Sequence, residues 1–369
     1  MLIYLGCGAV AAFALAIGLA LTGAAPAAVA HAAFALGAMP LIFAAMGHFV
    51  PVLTRSGGAE PTIHRLPLAA QLAGAAAVGV LAGGLPGWAL HPAILAGLAA
   101  AGALLVWQVR RGRAALGKPH PGLAWYKASL VCLLQALAAI LAGLLWPAGY
   151  RALRLAHLHL NTLGFIGLAA IGTLHVLMPT VLGQPDPQAA QRLRRQLPWA
   201  LGGVAASAAA GPLPWLTPVG VALVGGVVMH TLAGWWRAHG LRRIVGDGAA
   251  VALLGATLGL LGVIAAGLAH GLGGLPGRPA VTAFFALFLL PLVTGALSQL
   301  LPVWRFPGPL TPARGRMRAR LVRFGALRTG LFLAGGALLA TGQMAGAALL
   351  AAGVLGFAAA LLRALAAAR

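Results

Sequence analysis

Eleven histidines stand in this chain against only three carboxylates. Several fall inside long apolar stretches, where an imidazole is costly unless it has a partner and is by default a site hypothesis. The run LAHLHLNTLGFIGLAAIGTLHVLMPTVLG, Leu155 to Gly183, holds His157, His159 and His175. A second run, HAAFALGAMPLIFAAMGHFVP, holds His31 and His48. Neutral imidazole binds haem iron axially and is also a good ligand for copper. The bland alternative for each histidine is an interhelical hydrogen bond.

Spacing sorts these residues into two layers. His31 and His48 are 17 residues apart, about 25 Å along a helix at about 1.5 Å per residue, so they cannot share one small site. His31, His157 and His159 form an outer layer, with His91 and His270 at the outer ends of two further apolar runs; His48 and His175 form an inner one. His157 and His159 are two residues apart and point to nearly opposite faces of one helix. His159 is the preferred iron ligand, and His157 a second ligand, for haem or for copper. Arg151 and Arg154 lie within two turns of His157. They are suited to the propionates of a haem at that depth, or else they snorkel to water. His64, His120 and His239 read as loop or boundary residues, and His230 as a weaker candidate.

The elements that must position these groups are membrane helices. The chain is 61% hydrophobic and 8% charged, with a mean hydropathy of +0.95, where a soluble domain carries about 25% charged residues. Apolar runs fall near 2–22, 28–53, 67–86, 91–109, 123–146, 155–182, 197–212, 215–236, 248–271, 280–303, 322–342 and 345–366, which predicts about twelve spans. The opening run lacks a basic flank and reads as a first anchor rather than a cleaved leader. Of the 25 basic residues, 22 fall on one side of this alternation and only Arg151, Arg154 and Arg278 on the other. The positive-inside rule therefore places both termini in the cytoplasm and points to a bacterial inner membrane. The net charge of +22 is spread through short gaps between spans, which excludes nucleic-acid binding as its purpose. Trp235 and Trp236 read as an interfacial belt. Cys7 and Cys132 lie alone in apolar runs, with neither disulfide nor metal spacing. Glu60, Asp186 and Asp247 all fall in predicted loops, which disfavours proton pumping or carriage through an intramembrane carboxylate.

A repeat runs through the spans. Pro51, Pro179 and Pro302 close the second, sixth and tenth runs in the similar stretches GHFVPVLTR, HVLMPTVLG and SQLLPVWRF. The chain thus divides into three four-helix units, 1–122, 123–245 and 246–369, within a single membrane domain. Twenty residues before each proline stand His31, His159 and Thr282; His48 and Gln299 also align, with His175 one residue off.

This pattern resembles two related groups. Twelve helices in three four-helix units, with a histidine opening the second helix and a proline closing it, are similar to subunit I of the haem-copper oxidases and nitric oxide reductases. The segment HLHLNTLGFIGLAAIGTLHVLMP, His157 to Pro179, resembles the HxH-then-GF signature of the NnrS family, which is associated with haem, copper and tolerance of nitric oxide. The resemblance implies an all-α, oxidase-like membrane fold, haem b, copper as a further metal, His31 as a haem ligand by position, and His157 and His159 as haem or copper ligands. It also implies a quinol or other redox partner. The run 280–303 lacks the oxidases' tenth-helix histidines, and 197–212 lacks their copper pair, so a pumping dinuclear centre is not expected. The expectation is a haem-binding protein of nitric oxide response or respiratory electron handling, an oxidoreductase if it turns over. A His-lined metal or small-solute transporter and a non-catalytic assembly factor are the alternatives. Lipid-facing and subunit-facing apolar surfaces share one composition, so no oligomeric state is read from it.

Overall fold

In a bilayer every backbone amide must be satisfied within its own segment, which leaves helices as the natural choice for such long apolar runs. The computed structural model describes residues 1–275 and 280–366, and its regular structure is helical throughout these. Arg278 and Arg369, counted above in the charge asymmetry, lie outside the described residues.

Among the described residues ten helices are long and apolar enough to span a membrane, as in a multi-pass membrane protein. They are α1 (Leu2–Leu21), α2 (Pro26–Thr54), α4 (Gly87–Arg113), α5 (Gly122–Leu145), α6 (Pro147–Leu182), α8 (Leu216–His239), α9 (Gly248–Gly271), α10 (Ala280–Arg305), α11 (Pro312–Ala340) and α12 (Ala345–Ala366). Two further helices of 21 residues, α3 (Pro61–Leu81) and α7 (Ala189–Ala209), carry more polar residues and stand apart from the ten.

The starts of α3, α6, α7 and α11 differ from the sequence expectation, for one reason: proline and arginine read as breaks. Pro67 and Pro198 lie inside α3 and α7. A membrane helix tolerates proline where neighbouring groups re-satisfy the freed carbonyl. Arg192, Arg194 and Arg195 consequently sit on the opening turns of α7 rather than in a loop. Likewise α11 begins with Pro312–Val322, whose first turn is capped by Thr311 Oγ1 accepting from the Arg314 amide at 3.3 Å. It breaks at residues 323–324 and resumes as Gly325–Ala340.

The helices that carry the repeat prolines are not uniform. Each of α2, α6 and α10 contains a wide π-helical segment: Ala32–Ala38, Leu160–Gly167 and Phe284–Leu289. These begin 19, 19 and 18 residues before Pro51, Pro179 and Pro302. Local sequence accounts for two of them. Pro40 and Pro291 follow at the start of the next α-helical stretch, and a proline ring there would strike the carbonyl four residues back in a regular helix. In α6 Leu168 stands at the matching place, and Gly164 and Gly167 weaken the regular helix instead. Neighbouring helices approach the widened backbone closely. A Cβ at Gly74 would collide with the Ala35 carbonyl, and one at Gly259 with the Leu287 carbonyl.

The chain forms two compact units. The first comprises residues 1–33, 176–186 and 228–369, and its core includes Phe13 edge-on to Phe285 at 5.4 Å and Phe284 against Phe288 at 5.0 Å. The second comprises residues 34–175 and 187–227. There Phe43 meets Phe165 at 6.1 Å, and buried Trp125 donates its indole N–H to the Leu193 carbonyl at 3.0 Å.

Candidate functional site: the histidine layers

His31 belongs to the first unit. It ends the short α-helical stretch Pro26–His31, directly before the wide turn, and is half-buried. Its Nδ1 lies 2.8 Å from the Ala27 carbonyl oxygen. A carbonyl only accepts, so Nδ1 carries the hydrogen and the lone pair resides on Nε2. A metal-binding imidazole is typically held in this way by a backbone carbonyl.

The second unit holds His48, His157, His159 and His175. His159 closes the α-helical stretch Tyr150–His159, again directly before a wide turn, and its Nδ1 is buried. His157 donates Nδ1–H to the Ala136 carbonyl on α5 at 2.9 Å. Asn161 donates to the His157 carbonyl at 3.0 Å, and its amide nitrogen lies 3.4 Å from His157 Nε2. The same amide nitrogen lies 3.3 Å from His157 Nδ1, so it sits beside the ring and about equally far from its two nitrogens. Asn161 was not singled out in the sequence, although its position four residues after His157 is the spacing that brings helical side chains together.

In the inner layer His175 is buried at 1% exposure, with Nδ1–H donated to Ile171 at 2.9 Å. His48 is half-buried, 5.1 Å from the Phe49 ring. Its register partner Gln299, in the first unit, accepts from Arg318 Nε at 2.6 Å. Arg318 also donates to Asp247 Oδ2 at 2.7 Å and to the Val181 carbonyl at 3.2 Å. Asp247 in turn caps α9 through Oδ1, which accepts from Ala249 and Ala250. Arg318 therefore joins α6, α9, α10 and α11.

The remaining candidates take structural places. His91 and His270 donate Nδ1–H to nearby carbonyls of Trp88 and Leu275. His64 and His230 are exposed, whereas His239 is buried. His120 Nδ1 accepts from the Gly122 amide, which leaves its hydrogen on Nε2. Burial, and then the charge of Arg194, hold its pKa below the ordinary histidine value. Arg151 and Arg154 are exposed on the opening turns of α6. The tryptophan belt divides: Trp236 is exposed, but Trp235 is 1% exposed, because adjacent helical residues lie on different faces.

Among the described residues no three His, Cys, Asp or Glu side chains converge closely enough to hold a metal ion. A three-ligand copper centre is therefore not formed by them, while axial ligation of haem needs at most two protein nitrogens. No protein-family model matches this chain, and no curated protein matches it.

Proposed function

We propose that this chain is a haem b-binding protein of the bacterial inner membrane, acting in nitric oxide response or respiratory electron handling. In this reading α3 and α7 also span, giving twelve crossings in three four-helix repeats, with both termini cytoplasmic and an architecture similar to subunit I of the haem-copper oxidases and to NnrS. His31 and His159 would hold haem iron, Arg151 and Arg154 would serve propionates, and copper bound through His157 is a further option. The redox partner is a quinol or an electron-transfer protein.

One observation carries the reading. His31 and His159 stand at the same offset from the repeat prolines, and each directly precedes a wide π-helical turn. Such turns are rare and occur frequently at functional sites. The donor chemistry also fits: the Nδ1–H of His31 is tied to a carbonyl, leaving Nε2 as the basic nitrogen. Bound haem would supply one-electron chemistry, and the protein's part is to hold and orient it and to exclude water.

The test is an ultraviolet-visible spectrum of detergent-purified protein, oxidised and dithionite-reduced, with a pyridine haemochrome assay and copper analysis. A Soret band that falls in His31→Ala and in His159→Ala is expected. Colourless wild-type protein, expressed with ample haem, would sink the reading, and vesicle flux in a His48→Ala/His175→Ala variant would then test the transporter alternative.

A further inference from the structure

Arg328 is a buried charge. It lies on the first turn of Gly325–Ala340, the second part of α11, and is 4% exposed. A buried guanidinium is costly unless paired with an anion and fully hydrogen-bonded. Arg328 has no carboxylate partner among the described residues. Its Nη2 donates to the Leu321 carbonyl at 3.3 Å, its Nε meets no acceptor, and its charge lies 4.7 Å from the Phe357 ring. Asp247, the residue before Gly248, is committed to Arg318 at 2.7 Å.

Position adds to the imbalance. A cation at a helix N-terminus opposes the positive end of the helix dipole. The residue preceding Gly325, Phe324, offers no side-chain cap to the opening turn. Gly325 and Gly248 pack backbone to backbone: a Cβ at Gly325 would strike the Gly248 carbonyl, and one at Gly248 the Val322 carbonyl. That approach holds the break in α11 against α9 and keeps the uncapped turn in place. Around it Arg320 and Arg323 are exposed, with Arg323 lying 5.1 Å from the Phe324 ring. Everything here calls for a negative ligand, and among the described residues no carboxylate pairs with Arg328.

We infer that the break in α11 binds the phosphodiester of an anionic phospholipid, held by Arg328 from within and by Arg320 and Arg323 from the surface. The lipid source follows from the surroundings. The preceding stretch Pro312–Val322 buries Met317 and Leu321 while exposing Arg316 and Arg320, as a helix lying in the headgroup region does. Phe324 and Leu327, 57% and 63% exposed, flank the break as apolar contacts for acyl chains. Phosphate oxygens suit both the guanidinium fork and the open amides of a helix start. The inference is independent of haem.

The experiment is native mass spectrometry of the full chain, delipidated in detergent and then offered phosphatidylglycerol or phosphatidylcholine. Wild type should retain one phosphatidylglycerol in preference to phosphatidylcholine. Arg328→Gln should weaken that retention about tenfold, the scale of one lost charge-assisted hydrogen bond, while Arg316→Gln leaves it unchanged. Equal retention of the two lipids, unchanged retention in Arg328→Gln, or full displacement by inorganic phosphate without lipid preference would each overturn the proposal. Should Arg328→Gln fail to elute as a monodisperse species, the exposed pair Arg320→Gln/Arg323→Gln decides: lost preference supports the site, and unchanged preference overturns it.

Discussion

His157 and His159 differ by two positions and by the company each keeps. His157 has Ala136 and Asn161 on its ring, whereas His159 stands at the wide turn. The expected outcome is therefore asymmetric: His159→Ala loses the Soret band, and His157→Ala keeps it. Equal loss in both, measured at matched protein yield, would move the ligand role to the pair. Arg318 is the second residue whose contacts make a prediction. Arg318→Met removes three hydrogen bonds and leaves Gln299, 8% exposed, without its donor. A loss of about 1–3 kcal/mol is expected, read as a lower melting temperature in detergent. The His120 and Glu60 pairs add a pH dependence. Glu60 is held below the ordinary carboxylate range by its own backbone amide and then by Trp107 and Arg111, so its contribution is present near neutrality and fades in acid. The pKa of His120 is lowered, so the folded state resists its protonation, and stability falls as pH drops below about 6.5. Melting temperature should hold between pH 7 and 8 and decline towards pH 5, with a shallower decline in Arg194→Gln.

At the scale of elements, the wide turns in α2 and α10 are cradled by glycines of neighbouring helices. Gly74→Val and Gly259→Val each force a side chain against a carbonyl, with an expected cost of about 1–3 kcal/mol from overpacking. Gly47→Ala, which meets nothing within 4 Å, is the control. Thermal unfolding of the three variants checks this, and equal stability would mean the wide turns yield freely. The wide turns were only half legible in sequence. Pro40 and Pro291 mark two of them, but the third forms around Gly164 and Gly167 with no proline nearby. The repeat landmark Pro51, Pro179 and Pro302 was legible because proline is conspicuous in a helix. The opening turns of α3, α7 and α11 were not, because a charged or proline-bearing stretch reads as loop until tertiary partners satisfy it.

For the whole molecule, the charge asymmetry predicts sidedness. In a Cys7→Ser/Cys132→Ala background, a cysteine at Gly58 should react with an impermeant thiol reagent only in inverted vesicles, and one at Gly84 only in right-side-out vesicles. The reverse pattern would invert the topology. Composition alone determined that the chain is a multi-pass helical membrane protein, because 61% hydrophobic residues in runs of span length leave few other ways to satisfy the backbone. Sequence spacing also determined which histidines share a register, since that depends only on residue count from a landmark. Tertiary structure decided the rest: that His157 is engaged by Ala136 and Asn161, that Asp247 pairs with Arg318, and that Arg328 is buried beside a helix start with no countercharge among the described residues. Those outcomes depend on which helices lie side by side, and apolar surfaces of like composition do not reveal their neighbours.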